Sequence, residues 1–555
     1  MKRLLLLLSA LAFLSPLSAQ KNHNFEVAKN LDIFNALYQT LDLHYVDSLD
    51  AEKNIGNAIL YMLDRLDPYT EFYAEENTRD LRQMTTGKYA GIGSPIVFRK
   101  ALDRCIFSFP YDGMPAAEAG VRSGDIILAI DGKDLGNCGS QEVGKYTSAV
   151  SNALRGEPGT TFELKVKRPG VDKQLTFRLT RRTIEQPTVI YSALLEDSIG
   201  YVLLRSYTEN TVRDLRRTLV ELKTKGMKRL VLDLRGNPGG LMREAVDMVN
   251  LFLPRGKEVL STKGKISKHN MVYKTSSEPF DAEMPLVVLV SYTTASAAEI
   301  TSGALQDYDR AVVVGQRTFG KGLVQEPREL PYKTMLKLTT SKYYIPSGRC
   351  IQAYDFKNRN DDGQPRHLPD SLCKAFKTTG GRTVYDGGGI TPDVKVEEDS
   401  LPVFLSELKI SDALFDFCVD YCNRHENIAA PAEFHLSDQE FEAFKAFLKA
   451  QNFTYSQRSK EVFNLLKQMA RMEGYAESAK EEFDALQKKL SRNLDDDLAL
   501  WEKEVRQLVE LHIIMNRYYE RGSVEYALPS YKELQKALEI LHNDSLYRSL
   551  LHPAP

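Results

Sequence analysis

The stretch from Leu286 to Gln325 most constrains what this chain can fold into. It opens with a wholly apolar run, Leu286 to Val290, continues through small residues around Ser296 into a helical pattern, and ends in a second apolar run, Ala311 to Val314. Short apolar runs separated by a helix are typical of parallel strands that are buried on both faces and joined by crossover connections. Ser296 then lies beyond the carboxyl end of a strand, which is where ligands gather in sheets of this kind.

The same alternation of strands and helices extends upstream. Residues 201–204 and 230–234 form apolar runs, and residues 212–222 between them carry apolar side chains at helical spacing. A turn rich in glycine follows at residues 236–240, and another helical pattern covers residues 245–252. Strands that alternate with helices of this length predict an α/β core built from crossover units around a parallel sheet.

A serine and a lysine in this core suggest hydrolytic chemistry. A serine hydroxyl is a weak nucleophile until a base takes its proton. Lys321 follows the second apolar run and lies between Gly320 and Gly322, which would allow close backbone approach. Because burial lowers the pKa of a lysine, a buried Lys321 could act as a neutral base. The alternatives are a serine that only caps its helix, a solvated loop lysine, and a distant histidine as the base.

A glycine-rich β segment precedes the core. It begins with Gly91, Ile92 and Gly93, and the run GMPAAEAGVRSGDIILAIDG follows at residues 113–132. This pattern resembles a PDZ domain over about residues 86–183. The resemblance implies a groove that takes a peptide C-terminus as an added strand, with the backbone of Gly91, Ile92 and Gly93 around the carboxylate. The alternative is a glycine turn in a small β-domain without a ligand.

Longer motifs follow one another in a fixed order along the chain. They are LDLRGNPGG at 232–240, TASAAEI at 294–300, FGKGLVQ at 319–325 and KYYIPSGR at 342–349. With the PDZ segment, they are similar to the C-terminal processing (tail-specific) serine proteases over roughly residues 86–400. The resemblance implies Ser296 as the nucleophile, Lys321 as the general base and Gln325 as the residue that orients the lysine.

The resemblance also implies an oxyanion hole. Its donors would be the amide of Ala297 and a glycine of the turn, either Gly239 or Gly240, and the sequence does not decide between the two glycines. Relatives often have further serines beside the nucleophile, where this chain has threonine and alanine. Glu299 is interpreted as an acid of the first helical turn without a catalytic role. No metal and no organic cofactor are implied.

The amino terminus has the pattern of a secretory signal peptide. Lys2 and Arg3 precede an apolar run from Leu4 to Leu14, and the small residues Ser18 and Ala19 follow. We therefore expect cleavage after Ala19 and an exported protein located in the periplasm, with secretion as the alternative. The alternative is an uncleaved anchor. No later apolar stretch is long enough to span a bilayer, and the net charge of −2 provides no basic field for nucleic acid.

These patterns together predict a multidomain α+β protein. Its parts are a signal peptide (1–19), an N-terminal helical segment (20–85), a PDZ β-domain (86–183), an α/β crossover core of the tail-specific Ser/Lys protease type (184–400) and a C-terminal helical region (401–555). The C-terminal region is interpreted as a cap or a dimerisation region, which leaves a homodimer open. His512 lies on an apolar helical stripe there and is interpreted as a packed core residue.

The leading functional hypothesis is an exported serine endopeptidase. It would bind protein or peptide substrates with accessible C-terminal tails through the PDZ domain and cleave them through an acyl-enzyme. The first alternative is a catalytically silent PDZ scaffold or adaptor that binds peptide tails, and the second is a hydrolase of non-peptide esters. Ser296, Lys321 and Gln325 together favour the endopeptidase over the scaffold, and the peptide groove argues against the ester hydrolase.

Overall fold

The structure is a computed structural model. It describes residues 15–75, 78, 88–397, 401–425, 427–490 and 492–552, so most of the predicted signal peptide, residues 1–14, lies outside the described residues. Packing within the chain divides it into two compact units. The smaller unit consists of Met1–Glu76 and Gln325–Thr339, and the larger unit consists of Asn77–Val324 and Thr340–Pro555.

Helices and strands are numbered along the chain. The helices are α1 Ser15–His44, α2 Ala51–Asp64, α3 Pro115–Glu118, α4 Val143–Leu154, α5 Thr211–Thr224, α6 Met242–Val249, α7 Ala297–Asp307, α8 Val403–Lys409, α9 Asp412–Arg424, α10 Asp438–Ala450, α11 Arg458–Met472, α12 Lys480–Leu490, α13 Leu494–Leu500, α14 Glu502–Ala527, α15 Lys532–His542 and α16 Asp544–Leu551. The strands are β1 Glu71–Tyr73, β2 Lys88–Gly91, β3 Ile96–Arg99, β4 Arg104–Phe107, β5 Ile126–Ile130, β6 Lys133–Asp134, β7 Thr161–Lys167, β8 Leu175–Thr180, β9 Arg182–Glu185, β10 Val189–Leu195, β11 Ile199–Leu204, β12 Arg229–Asp233, β13 Glu258–Gly264, β14 Val272–Lys274, β15 Leu286–Val290, β16 Val312–Gly315, β17 Leu323–Glu329, β18 Met335–Tyr344, β19 Tyr354–Arg359, β20 Pro365–His367, β21 Ala375–Lys377, β22 Thr383–Tyr385 and β23 Val394–Lys395.

Within the described residues, the smaller unit contains the two amino-terminal helices, the strand β1 and parts of β17 and β18. The strand β1 pairs antiparallel with the first residues of β18. The predicted N-terminal helical segment, residues 20–85, is helical over α1 and α2 within the described residues, and the helix ends before β1. The reason lies at Asp67, whose carboxylate accepts the N–H groups of Tyr69 and Thr70 at 2.8 and 2.9 Å and turns the chain out of the helix.

The PDZ domain is an antiparallel sheet in the order β3-β4-β5-β7-β8, with β6 beside β5 and a separate pair of β2 and β9. Helix α4 packs on this sheet, where the ring of Tyr146 meets the ring of Phe98 edge to face at 6.0 Å between centroids. At the end of β3, Arg99 forms an ion pair of 2.7 Å with Asp416 of α9, and its guanidinium lies over the ring of Phe415. The PDZ domain is thus attached to the C-terminal helical region.

The predicted protease core is built on a sheet in the order β10-β11-β12-β15-β16-β23. From β11 to β23 every neighbouring pair is parallel, which confirms the predicted crossover core. Along β12, Leu230 and Leu232 point into one apolar cluster together with α5, α6 and α7. Val231 points into the other cluster, which α15 and α16 complete with Ala537, Ile540 and Leu541, among others. Both faces of the sheet are covered, as the continuous apolar runs require.

The helices of the C-terminal region form two groups that pack differently. Helices α8, α9, α10, α13 and α14 share an apolar cluster of their own, while α15 and α16 cover the second face of the protease sheet. Ser437 caps α10, as its position predicts, by accepting the N–H of Glu440. His512 is half-buried in α14, and its pKa is lowered by burial, which agrees with its interpretation as a packed residue.

Two general features concern the environment of the chain. Within the described residues, no helix combines the length and the apolar composition needed to cross a membrane. All six cysteines are free thiols.

Candidate active site

Ser296 lies at a strained point of the backbone. It follows the buried strand β15 and occupies the N-cap position of α7, with φ +55° and ψ −116°. A positive φ is costly for a residue with a Cβ, and such strain is concentrated at functional sites. Every residue of α7 is buried, whereas Ser296 itself is half-buried. The elbow therefore presents a partly accessible serine at the end of a rigid, fully packed helix.

Lys321 lies in a loop that is pressed against another segment of the chain. A Cβ added to Gly320 would lie 2.4 Å from Cβ of Ala353, and one added to Gly322 would lie 2.9 Å from the backbone nitrogen of Gln352. Gly320 also accepts the N–H of Ala353, and Gly322 donates to Oε1 of Gln352. These contacts confirm the predicted close backbone approach at both glycines.

Glu299 joins the serine elbow to the lysine loop. One carboxylate oxygen, Oε2, accepts the backbone N–H of Ser296 at 2.8 Å and that of Lys321 at 2.9 Å. The other oxygen, Oε1, accepts the hydroxyl of Thr318 at 2.5 Å and the N–H of Gly320 at 2.7 Å. Glu299 is fully buried, and burial raises its pKa to about 7 although the four donors act in the opposite direction.

This role of Glu299 differs from the sequence-based interpretation of Glu299 as an ordinary acid of the first helical turn. An acid in the first turn of a helix is common, so its position alone gave no reason to look further. The sequence nevertheless contains one indication of this role, which is the composition of the residues around Glu299. Glu299 stands in a helix of small and apolar residues, and an acidic side chain inside such a segment must be paired when the segment is buried.

Tyr343 makes a second connection between the same two segments. Its buried hydroxyl lies 2.9 Å from the carbonyl oxygen of Lys321 and 3.3 Å from that of Ser296. The backbones of Ser296 and Lys321 are therefore held together on their N–H side by Glu299 and on their carbonyl side by Tyr343. This pairing involves only the backbones of the two residues and not their side chains.

The turn at residues 237–240, named the oxyanion turn below after the role that the sequence predicts for it, packs directly against the serine. Gly239 has φ +92°, and a Cβ there would lie 2.8 Å from Cβ of Ser296 and 2.8 Å from the backbone nitrogen of Ala297. The N–H of Gly239 donates to the side-chain oxygen of Asn237 at 2.9 Å. In the described part of the chain, the N–H groups of Gly240 and Ala297 have no hydrogen-bond acceptor.

Gln325 belongs to the smaller unit of the chain. Its side-chain nitrogen donates to Oγ1 of Thr339 at 3.1 Å, and Thr339 in turn donates to the carboxylate of Asp67 at 3.1 Å. Its side chain is therefore oriented within that unit. The expected action of Gln325 on Lys321 stays a prediction.

The predicted peptide-binding residues lie where β2 ends and the chain turns towards β3. Gly93 has φ +72°, and a Cβ there would lie 2.4 Å from Cβ of Met114, so glycine is required. The carbonyl groups of Ile92 and Gly93 accept backbone N–H groups. Among the described strands, β3 pairs with β4 alone. An extended peptide can therefore be added along its other edge, which Gly91, Ile92 and Gly93 precede.

The described residues contain no group of three or more His, Cys, Asp or Glu side chains arranged to hold a metal ion. The chemistry of the site consists of a strained serine, a lysine whose backbone is fixed to the same anchors, and two amides without acceptors. A hydroxyl nucleophile, an amine base and a pair of N–H donors are the groups that acyl transfer requires.

Three family models match successive parts of the chain. The model of a PDZ domain matches residues 108–168, that of peptidase family S41 matches residues 198–358, and that of a probable PDZ-protease, C-terminal helical domain, matches residues 404–541. A carboxy-terminal-processing protease of Bartonella bacilliformis (strain ATCC 35685 / KC583 / Herrer 020/F12,63) is 36% identical over 349 residues, which cover 62% of this chain and 78% of that protein. A probable CtpA-like serine protease of Staphylococcus aureus (strain COL) is 33% identical over 353 residues, which cover 63% of this chain and 68% of that protein.

Among solved structures, the photosystem II D1 C-terminal processing protease is 27% identical at a TM-score of 0.36, and the match covers 66% of this chain and 88% of that chain. The fold and the sequence relatives define a serine peptidase that carries a PDZ domain. The chain belongs to peptidase family S41, among the C-terminal processing proteases.

Proposed function

We propose that this protease is an exported endopeptidase that cleaves peptide bonds with Ser296 and Lys321 through an acyl-enzyme. The observation that carries the proposal is the shared anchor of the two residues. The carboxylate of Glu299 accepts both backbone N–H groups, and Tyr343 lies against both carbonyl groups. A nucleophile and its base must keep a fixed separation, and common anchors on two segments far apart in sequence serve that purpose.

In the proposed reaction, Lys321 takes the proton of the Ser296 hydroxyl while the serine oxygen attacks a substrate carbonyl. The N–H groups of Ala297 and Gly240 stabilise the oxyanion. Gly240 is preferred over Gly239 because the N–H of Gly239 already has an acceptor in Asn237. Collapse of the intermediate breaks the C–N bond, protonated Lys321 gives its proton to the leaving nitrogen, and the new amine departs from the acyl-enzyme. Water, with the neutral lysine again as the base, then hydrolyses the acyl-enzyme.

The PDZ domain delivers the substrate in this proposal. A protein tail would be added as a strand along the open edge of β3, with its carboxylate near Gly91, Ile92 and Gly93. The proposed division of the chain at residues 19, 85, 183 and 400 then separates export, tail binding and catalysis. Export rests on the signal-peptide pattern, with the periplasm as the expected location. Amino-terminal sequencing of the mature protein, with Gln20 as the first residue, would test it.

The test of the proposed chemistry is cleavage of an unstructured protein with an apolar C-terminal tail. The parent chain should cleave it and react with a fluorophosphonate at Ser296, and Ser296→Ala and Lys321→Ala should both lose cleavage. Loss in the serine variant alone would indicate another base. A parent that binds the tail but neither cleaves it nor reacts with the probe would support the silent scaffold instead.

We also propose that a second copy of the chain covers the face of α1. Val27, Leu31, Phe34, Tyr38 and Leu41 alternate at spacings of four and three residues, which is the seam of a coiled coil. Apart from Tyr38, which is half-buried, these side chains are exposed, Leu31 at 64%. Sedimentation should show a dimer that Leu31→Lys converts to a monomer. A parent that stays monomeric at micromolar concentration, or that binds lipid vesicles through α1, would contradict the proposal.

A further inference from the structure

A buried polar network begins where strand β12 ends. Asp233 is fully buried, and its carboxylate accepts the hydroxyl of Tyr201 at 2.6 Å. The same carboxylate accepts the side chain of Arg235, with Nη2 at 2.6 Å and Nε at 3.0 Å. The backbone N–H of Arg235 also donates to Asp233, at 2.9 Å. This bidentate arrangement fixes the plane of the guanidinium directly before the oxyanion turn.

The outer side of the same guanidinium is held by the C-terminal helical region. Nη1 of Arg235 donates to Glu533 of α15 at 2.7 Å, and the guanidinium carbon lies 4.3 Å from the centre of the Tyr531 ring. The side chains of Arg235 and Glu533 are only 16% and 15% exposed, so solvent screens the pair weakly. If Asp233 were the only partner of Arg235, the face of the guanidinium that Tyr531 covers would be exposed, and Nη1 would lose its bond to Glu533.

Hydrogen bonds connect the residues around Arg235 to the segment that precedes Ser296. The carbonyl of Leu234 accepts the hydroxyl of Thr294 at 2.8 Å, and the carbonyl of Asn237 accepts the N–H of Ala295 at 2.9 Å. Asn237 then fixes the N–H of Gly239, which abuts Ser296. A shift of the backbone at Arg235 would therefore also displace the oxyanion turn. The N–H donors there must keep their positions to a fraction of an ångström to stabilise the oxyanion.

We propose that Glu533 and Tyr531 are positioning residues for the oxyanion turn and act on it through Arg235. The proposal rests on the function proposed above, in which Gly240 and Ala297 hold the oxyanion. It gives the C-terminal helical region a part in catalysis beyond covering the protease sheet. A merely structural ion pair would fasten α15 to the sheet, and its loss would change stability without changing the turnover of correctly folded sites.

The experiment compares Glu533→Ala and Glu533→Gln with Glu539→Ala in the full mature chain. Glu539 lies on the same helix and pairs with Lys536 at the surface, so its variant controls for the loss of an α15 acid. The concentration of competent sites is first counted by complete reaction with a fluorophosphonate. The turnover number per counted site and the KM for the tailed protein are then measured, together with the melting temperature.

For Glu533→Ala we expect the turnover number per site to fall about tenfold to a hundredfold, with KM within about twofold of the parent, since the oxyanion donors act mainly in the transition state. Glu533→Gln keeps an acceptor for Arg235 and should recover part of the loss, and Glu539→Ala should match the parent. A parental turnover per site in Glu533→Ala, with or without a lower melting temperature, would overturn the inference. Failure of the parent to react with the probe would refute the proposed function instead, so the two failures are distinguishable.

Discussion

Replacement of Glu299 by glutamine tests whether one buried carboxylate holds Ser296 and Lys321, the proposed nucleophile and the proposed base, in register. The carboxylate accepts four donors, and three of them are the backbone N–H groups of Ser296, Gly320 and Lys321. A glutamine side chain has only one oxygen. Whichever way its amide is turned, its NH2 group faces at least one backbone N–H, so at least one of these donors loses its acceptor.

The size of the effect on stability depends on pH. An unsatisfied buried N–H costs about 1–3 kcal/mol. Against this, the glutamine removes the burial of a charge. The pKa of Glu299 is raised from 4.5 to about 7, so the folded parent binds more protons than the unfolded chain between these values and loses about 3 kcal/mol as pH rises through that window. Glutamine does not titrate and escapes this loss.

At pH 4.5, Glu299→Gln should therefore be less stable than the parent by about 1–3 kcal/mol. Between pH 4.5 and pH 8 its stability relative to the parent should rise by about 3 kcal/mol. At pH 8 the cost of the unsatisfied N–H and the cost of the buried charge in the parent then nearly cancel. Its turnover number should fall about tenfold to a hundredfold even at pH 8, because the anchor of Ser296 and Lys321 is incomplete. Hydrogen exchange of peptides spanning residues 296–322, corrected for intrinsic rates, reports the local free energy, and cleavage of the tailed protein reports turnover.

Glu244→Gln is the matched control. Glu244 also lies in the first turn of a helix and accepts a single backbone N–H, that of Val212, at 3.0 Å. The control should keep parental turnover. Parental turnover in Glu299→Gln as well, or a difference in stability from the parent that stays constant between pH 4.5 and 8, would refute the reasoning.

Three further variants probe the packing around the site. Gly239→Ala should abolish cleavage, because its Cβ would lie 2.6 Å from the carbonyl oxygen of Ala295. Its control is Gly226→Ala, at a similar positive φ but with open space around it. The control should lose only about 1–2 kcal/mol of stability and keep its turnover number. Tyr343→Phe should lose about 1–2 kcal/mol of unfolding free energy and have a lower turnover number, because its hydroxyl contacts are removed. An unchanged turnover number would show that these contacts do not contribute to catalysis. Arg349→Met should destabilise the protein by about 3–5 kcal/mol in urea unfolding, since its fully buried partner Asp307 would be left uncompensated; a loss below about 1 kcal/mol would be inconsistent with that burial.

The parallel core could be predicted from sequence because its signal is local. The runs at β12, β15 and β16 are apolar at every position or nearly so, and their short length and content of valine favour strands covered on both faces. The elbow at Ser296 followed from its place between such a strand and a helix. Short-range patterns of this kind contain the information for the element and for its environment.

The strand β1 and the placement of α15 could not be predicted in the same way. β1 is three residues long and exists because it pairs with β18, which lies far along the chain. The apolar stripe of α15 indicates an amphipathic helix but not the surface that it covers. Contacts between segments so distant in sequence depend on the assembled fold, so the role of the C-terminal region at the protease sheet appeared only in the structure.

The residues that position the site are hidden for a related reason. Ser296 and Lys321 have motifs that point to their chemistry, whereas Glu299 and Asp233 look like an ordinary helix acid and an interruption in a strand. Both are fully buried carboxylates, and both collect donors from other segments: Glu299 from the lysine loop, Asp233 from Tyr201 and Arg235. A buried charge is costly unless several donors satisfy it. An acid inside a buried strand or helix therefore predicts that other segments converge there. In this protease, Glu299 binds the backbones of Ser296 and Lys321, and Asp233 lies just before the turn that packs against Ser296.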